Sequence, residues 1–196
     1  METTKKASPA NYYVRIIGTL FAIAAIVAVL LALVNVLTKE TIQKNKDEKT
    51  ARAMSEVMPG VATPTDEDKL ALPESFENAK DIKEVLLAKN ADGDVLGYCV
   101  TTSTNGNDGA IELMVGVDAD GAVTKVSIIS QKETMYTNKH GELIARFDGK
   151  SGEVKLTNDG GEISAISGAT ITSRAVTKGV NSALAAVNAI MEGGAE

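Results

Sequence analysis

The sequence predicts an α+β protein carried on one N-terminal transmembrane helix. Three observations predict it. Ile16 to Val34 is an apolar run without a single charge. Two successive β-branched stretches are each broken by an Asp/Gly turn, and the chain closes with a helical apolar stripe between Thr172 and Met191. Hairpins that follow one another make an antiparallel sheet, and a one-sided helix must bury its stripe on such a sheet.

The elements follow in chain order. About 20 helical residues cross a bilayer core, and the apolar character from Ile16 continues to Leu37. Apolar side chains occur on every face of this run, as suits a helix surrounded by lipid. Tyr12, Tyr13 and Arg15 sit where interfacial anchors belong. A cleaved signal peptide is the rival reading. The run is longer than an ordinary signal core, and no small-residue cleavage site follows it at Asn35-Val36-Leu37-Thr38-Lys39. Lys and Arg flank the run on both sides, so charge counting leaves the orientation open.

Lys39 to Met58 reads as a polar helix with a sparse apolar side formed by Ile42, Met54, Val57 and Met58. Pro59-Gly60 stops it, and residues 61–75 form a connector rich in Pro, Thr, Asp and Glu. Residues 82–89 and 95–102 flank the turn Ala91-Asp92-Gly93-Asp94. Residues 111–117 and 122–129 flank Asp118-Ala119-Asp120-Gly121. Their Val and Ile content favours strands. Glu142 to Phe147 is expected as a short helix. In the final helix, Val176, Val180, Ala183, Leu184, Val187 and Met191 recur at spacings of three and four, before Gly193-Gly194. The division expected is residues 1–15 before the membrane, 16–37 across it, 38–75 as stalk helix and connector, and 76–196 as the folded domain.

Composition excludes several functions. The net charge is −6 over 196 residues, with +3 on residues 1–39 and −9 on the remainder. An acidic body, 4% aromatics and no Trp speak against nucleic-acid binding. Cys99 is the only cysteine and His140 the only histidine, so no internal disulfide forms and no zinc or iron–sulfur site is expected. Cys99 reads as a small buried hydrophobe.

The informative loop is Ser167-Gly168-Ala169-Thr170-Ile171-Thr172-Ser173, with four hydroxyl side chains just before the last helix. It has no Lys and no G-x-x-x-x-G-K-[ST] pattern, so it is not a nucleotide-hydrolysing loop. Two readings stand side by side. Thr172 or Ser173 caps the helix, or the loop brings a phosphate to the helix N-terminus, where a hydroxyl can carry it as an ester.

These residues resemble a known family. The run GYCVTTSTNGNDGAIELMVGVDADG from Gly97 to Gly121, ETMYTNK from Glu133 to Lys139, RFDGKSG from Arg146 to Gly152 and SGATITS from Ser167 to Ser173 are similar to the G subunits of Rnf complexes, membrane-bound ferredoxin:NAD⁺ oxidoreductases. More distantly the chain resembles the C subunits of sodium-translocating NADH:quinone reductases. The resemblance implies an FMN-binding domain, with FMN esterified through its phosphate to Thr170 by a separate flavin transferase that uses FAD. It implies that Gly168 and Ala169 let the phosphate approach the backbone, that Ser167, Thr172 and Ser173 surround it with donors, and that the loop beginning Glu133-Thr134 approaches the flavin. Asn105 to Gly109 is a second candidate flavin-side loop. The chain departs from the family at Met135-Tyr136-Thr137-Asn138, where Pro-Gly-Leu-Gly is usual, and at Ser164, where an Asp is usual.

The expected role is electron relay within a complex that couples electron flow from ferredoxin to NAD⁺ to Na⁺ or H⁺ export. The partners are the other Rnf subunits, the transferase during maturation and membrane lipid. No residue is assigned as catalytic, because the redox chemistry belongs to the cofactor. The chain has no dinucleotide fingerprint and no cluster-binding cysteine set, so NADH and ferredoxin are expected to bind other subunits. The resemblance places residues 1–15 in the cytoplasm and the flavin domain outside it, at the bacterial inner membrane. The alternatives are a quinone-reductase C-type subunit and a cofactor-free anchored sensory or structural domain.

Overall fold

A computed structural model describes residues 9–73, 76, 79–133 and 139–193. The chain divides into two units, residues 1–47 and 48–196.

The described residues of the first unit are helical and form part of α1, which runs from Pro9–Val57. Tyr12–Lys39 has a mean hydropathy of 3.0 over its most apolar stretch and is long and apolar enough to cross a membrane. Its large side chains are exposed, Phe21 at 74% and Leu31 at 66%. The hydroxyls of Thr19 and Thr38 donate back to carbonyls of the preceding turn, at 2.8 Å from Ile16 and 2.6 Å from Val34. Both hydroxyls are thereby satisfied within the helix, a requirement wherever water is absent.

The second unit is a four-stranded antiparallel meander with helices on both faces. β1 (Ile82–Lys89), β2 (Val95–Asn105), β3 (Ala110–Asp118) and β4 (Val123–Ser130) lie in sequence order. The two Asp/Gly turns of the sequence close the first and third hairpins. Val85, Val100, Val115 and Val126 form one continuous row across the sheet. They point to α3 (Thr170–Gly193), whose Val176, Val180, Leu184 and Val187 complete the main core. Successive strand residues face opposite ways, so Leu86, Cys99 and Met114 point to the other face. The expected short helix is α2 (His140–Ile144), continued by one 3₁₀ turn at Ala145–Phe147.

The opposite face is covered by the end of α1. Ala53, Met54, Val57 and Met58 are buried against Leu86, Ala88, Cys99 and Met114. Of the sparse apolar side noticed on this helix, Met54, Val57 and Met58 are thus a docking face; the side chain of Ile42 lies outside the described residues. Burial there pushes the Cys99 thiol up to about 12, so it is an inert core residue. The Val57 carbonyl accepts a hydrogen bond from Thr124 Oγ1 at 2.6 Å, and Glu56 accepts one from Ser127 at 2.7 Å. The approach requires glycine at 116: a Cβ there would lie 2.3 Å from Thr124 Oγ1 and 2.8 Å from the Val57 carbonyl oxygen.

The connector runs along the β1 edge. The Leu70 N–H bonds to the Val85 carbonyl, and Lys89 Nζ reaches Asp68 at 2.6 Å. Hydrogen bonds from Lys89 first, then from the Thr65 backbone and hydroxyl, hold the Asp68 carboxyl down at about 2.

This packing is open to test at two positions. Gly116→Ala in the detergent-solubilised full chain should lose roughly 1–3 kcal/mol of unfolding free energy in urea, the range for overpacking, while Gly141→Ala, facing open space, should not. Asp68 titrates lower in the folded than in the unfolded state. Its stabilisation is therefore complete above an ordinary carboxylate value of about 4 and disappears as pH falls through about 2. Asp68→Asn should flatten stability against pH across that window, read by thermal melts.

Candidate functional site

The hydroxyl-rich loop turns sharply into α3. The Ala169 N–H bonds to the Ile166 carbonyl at 3.0 Å. Gly168 has φ of +81°, the position in such a four-residue turn that demands a left-handed backbone. The helix then starts at Thr170, two residues earlier than the apolar periodicity predicts. Its first internal bond joins the Ser173 N–H to the Ala169 carbonyl at 2.9 Å.

Ser173 explains the early start. Its Oγ accepts the Ile166 N–H at 3.0 Å and donates to the Ala169 carbonyl at 2.9 Å. One buried hydroxyl therefore joins both ends of the turn to the first helical turn. Further along, Thr177 Oγ1 donates to the Ser173 carbonyl, and Thr104 Oγ1 of β2 donates to the Ala175 carbonyl, each at 2.9 Å. The helix start is thus fastened to the sheet.

Thr172 and Ser173 do not cap this helix. Both lie inside its first turn and are buried. Ala169, at the capping position, offers no side-chain acceptor. The N–H groups of Thr170, Ile171 and Thr172 precede the first internal bond, as at any helix start.

The expected site residues separate into groups. A cavity of about 280 Å³ is lined by Gly168, Ala169, Thr170, Ile171 and Thr172, with Asn107, Asp108 and Glu133 opposite. Thr170 is half-buried, and its hydroxyl makes no hydrogen bond among the described residues. Glu133 is buried, with one oxygen accepting the Asp108 N–H at 2.7 Å and the other accepting the Thr172 hydroxyl. Ser167 is exposed and outside the cavity wall, and Ser173 belongs to the turn beneath it. Thr134 and the departure at 135–138 lie outside the described residues. The Asn105–Gly109 loop, a second flavin-side candidate that reads equally well as a plain turn, brings Asn107 and Asp108 to the cavity. Sequence reasoning missed Ile171, whose side chain is 55% exposed beside Thr170. No pattern in the chain singles out that residue.

The loop before the turn is held from outside. Arg146 donates to the Ser164 carbonyl. Arg174 makes two hydrogen bonds to Asp159, at 3.0 and 2.8 Å, and these hold the Asp159 carboxyl below its usual range. A larger groove of about 590 Å³ lies along the outer side of α3, between it and residues 152–159. It contains none of the expected site residues.

A hydroxyl without a partner among the described residues, at a helix N-terminus with small residues around it, fits a phosphoester. Backbone N–H groups and the helix dipole favour the phosphate's charge there. Residues 106–185 match the FMN-binding domain, and residues 18–57 match the RnfG N-terminal region. The G subunit of the Na⁺-translocating ferredoxin:NAD⁺ oxidoreductase complex of Acetobacterium woodii is 37% identical over 83% of this chain and 85% of its own length. This chain belongs to the family of Rnf G subunits. The G subunits of the ion-translocating oxidoreductase complexes of Methanosarcina acetivorans (30% identity; 89% of this chain and 94% of the relative) and Stutzerimonas stutzeri (32%; 83% and 75%) are also similar. Of the two complexes that the sequence resembles, the family is that of Rnf, and the domain around Thr170 is an FMN-binding domain.

Ser173→Ala should cost about 1–3 kcal/mol, because it leaves the buried Ile166 N–H without an acceptor. Ser167→Ala, on the exposed side, should stay within about 0.5 kcal/mol of wild type. Urea denaturation of the full chain in detergent distinguishes them.

Proposed function

We propose that this chain is an electron-carrying G subunit of an Rnf complex, with FMN joined by a phosphoester to Thr170. The observation that carries the reading is the Thr170 hydroxyl. It lines a cavity at the start of α3 inside the matched FMN-binding domain, without a hydrogen bond among the described residues. In maturation the threonine oxygen bonds to the FMN phosphorus of FAD, the diphosphate bond breaks, AMP leaves and the hydroxyl proton is released. A separate flavin transferase supplies that chemistry. Bound FMN provides one- and two-electron redox chemistry.

The chain's own residues hold and place the group. Gly168 and Ala169 would leave room beside the ester, and the N–H groups of Thr170, Ile171 and Thr172 at the helix start would favour its charge. The cavity, of about 280 Å³, would take the phosphate and the attachment end of a flavin.

Residues 16–37 cross the bacterial inner membrane in this reading, with residues 1–15 cytoplasmic and the flavin domain on the other side. The other Rnf subunits and lipid are its partners. No charged residue lies between Ile16 and Val34, so the Na⁺ or H⁺ path belongs to other subunits.

Full-length chain made together with a flavin transferase should gain the mass of one FMN and stay yellow after denaturation. Thr170→Ala should abolish both. A Thr170→Ala chain that keeps the added mass would put the ester elsewhere, and colour lost on unfolding of wild type would mean non-covalent FMN.

A further inference from the structure

Glu133 stands out among the groups around the cavity because it faces the protein. It is 6% exposed, and both carboxylate oxygens already accept protein donors. One donor is the backbone N–H of Asp108, in the loop between β2 and β3. The other is the hydroxyl of Thr172, 39 residues away in sequence and in the first turn of α3. Packing around the carboxylate is close: a Cβ on Gly106 would lie 2.5 Å from Glu133 Oε1. A buried carboxylate is tolerated only when its oxygens are hydrogen-bonded, and bonds to a charged acceptor are the stronger kind. The three segments it joins or belongs to are those that line the cavity.

We infer that Glu133 is a latch that clamps the β2–β3 loop to the first turn of α3 and thereby positions the group carried on Thr170. It is a positioning residue that acts through Thr172 and Asp108, where the family resemblance suggested only that its loop approaches the flavin. The inference rests on the Thr170 attachment for its function, but the latch itself is a property of the chain. Opening it frees two walls of the cavity to move apart, and an attached flavin gains rotational freedom and a changed electrostatic environment. Glutamine at 133 can still accept the Asp108 N–H through its carbonyl and donate to Thr172 through its amide, so the conservative change should retain most of the clamp.

The test uses the full chain in detergent, matured with a flavin transferase, as wild type, Glu133→Ala, Glu133→Gln, Thr172→Val and Glu133→Ala/Thr172→Val. Intact mass reports attachment. Amide hydrogen exchange at 106–109 and 170–173, flavin fluorescence anisotropy and midpoint potential report the latch. Glu133→Ala and Thr172→Val should each raise exchange in both segments about tenfold, the factor matching a lost hydrogen bond to a charged group. Exchange in the β2–β3 ladder should be unchanged. Both variants should lower anisotropy and move the potential in the same direction. The double variant should add little to either single one, and Glu133→Gln should lie near wild type. Unchanged exchange and anisotropy in Thr172→Val, or fully additive effects in the double variant, would overturn the latch. If Glu133→Ala does not fold, Thr172→Val and Glu133→Gln decide alone. A wild-type chain without the added mass refutes the Thr170 attachment instead, and exchange in that same chain still decides the latch.

Discussion

The site depends on the buried hydroxyl of Ser173. A helix that begins with Thr-Ile-Thr-Ser has little intrinsic reason to start there, because β-branched residues and Ser are indifferent helix formers. The Ser173 side chain accepts the Ile166 N–H and donates to the Ala169 carbonyl, so turn and helix form as one hydrogen-bonded unit. Thr170 owes its place to this unit. It is the first helical residue, held between a turn that needs glycine at 168 and a helix fastened to β2 through Thr104. A hydroxyl offered at a helix start from a rigid platform is what an ester-linked carrier requires, since position is all the protein contributes once redox chemistry resides in the cofactor.

That platform is rigid because both faces of the sheet are covered. α3 packs on the Val85–Val100–Val115–Val126 row, and the last turns of α1 pack on Leu86, Cys99 and Met114. An antiparallel sheet can leave one face to water, but here Leu86, Ala88, Cys99 and Met114 form an apolar patch on the second face as well. The end of α1 therefore belongs to the domain core, and residues 48–57 are part of the folded unit instead of a loose tether.

Most of this architecture was legible. Two Asp/Gly turns between β-branched runs define two hairpins, and a stripe at three- and four-residue spacing defines α3. The start of α3 was not legible, because the bond that moves it to Thr170 comes from a side chain folding back onto the preceding turn. The docking of α1 was half legible. Met54, Val57 and Met58 are visible as a sparse apolar side, but nothing local names Leu86, Cys99 and Met114 as their partners. In the site, Thr170 stood out through family resemblance rather than through local physics, which equally allowed a simple helix cap. The contact between Glu133 and Thr172 spans 39 residues and leaves no periodic trace.

The four hydroxyls between Ser167 and Ser173 look interchangeable in the sequence, and folding makes them unequal. Ser173 is committed to the turn, and Thr172 donates to Glu133. Ser167 is exposed beyond the cavity wall. Thr170 alone combines a place in that wall with a hydroxyl that has no partner among the described residues. Under the attachment proposed here, selectivity need not reside wholly in what the transferase reads along the chain, which matters where Ser164 replaces the family's usual Asp. Modifying Thr172 would require breaking a buried bond to a carboxylate, and modifying Ser173 would unpin the turn. The geometry itself thus disfavours both, and the hydrogen bonds that build the platform would also direct the proposed attachment to one oxygen.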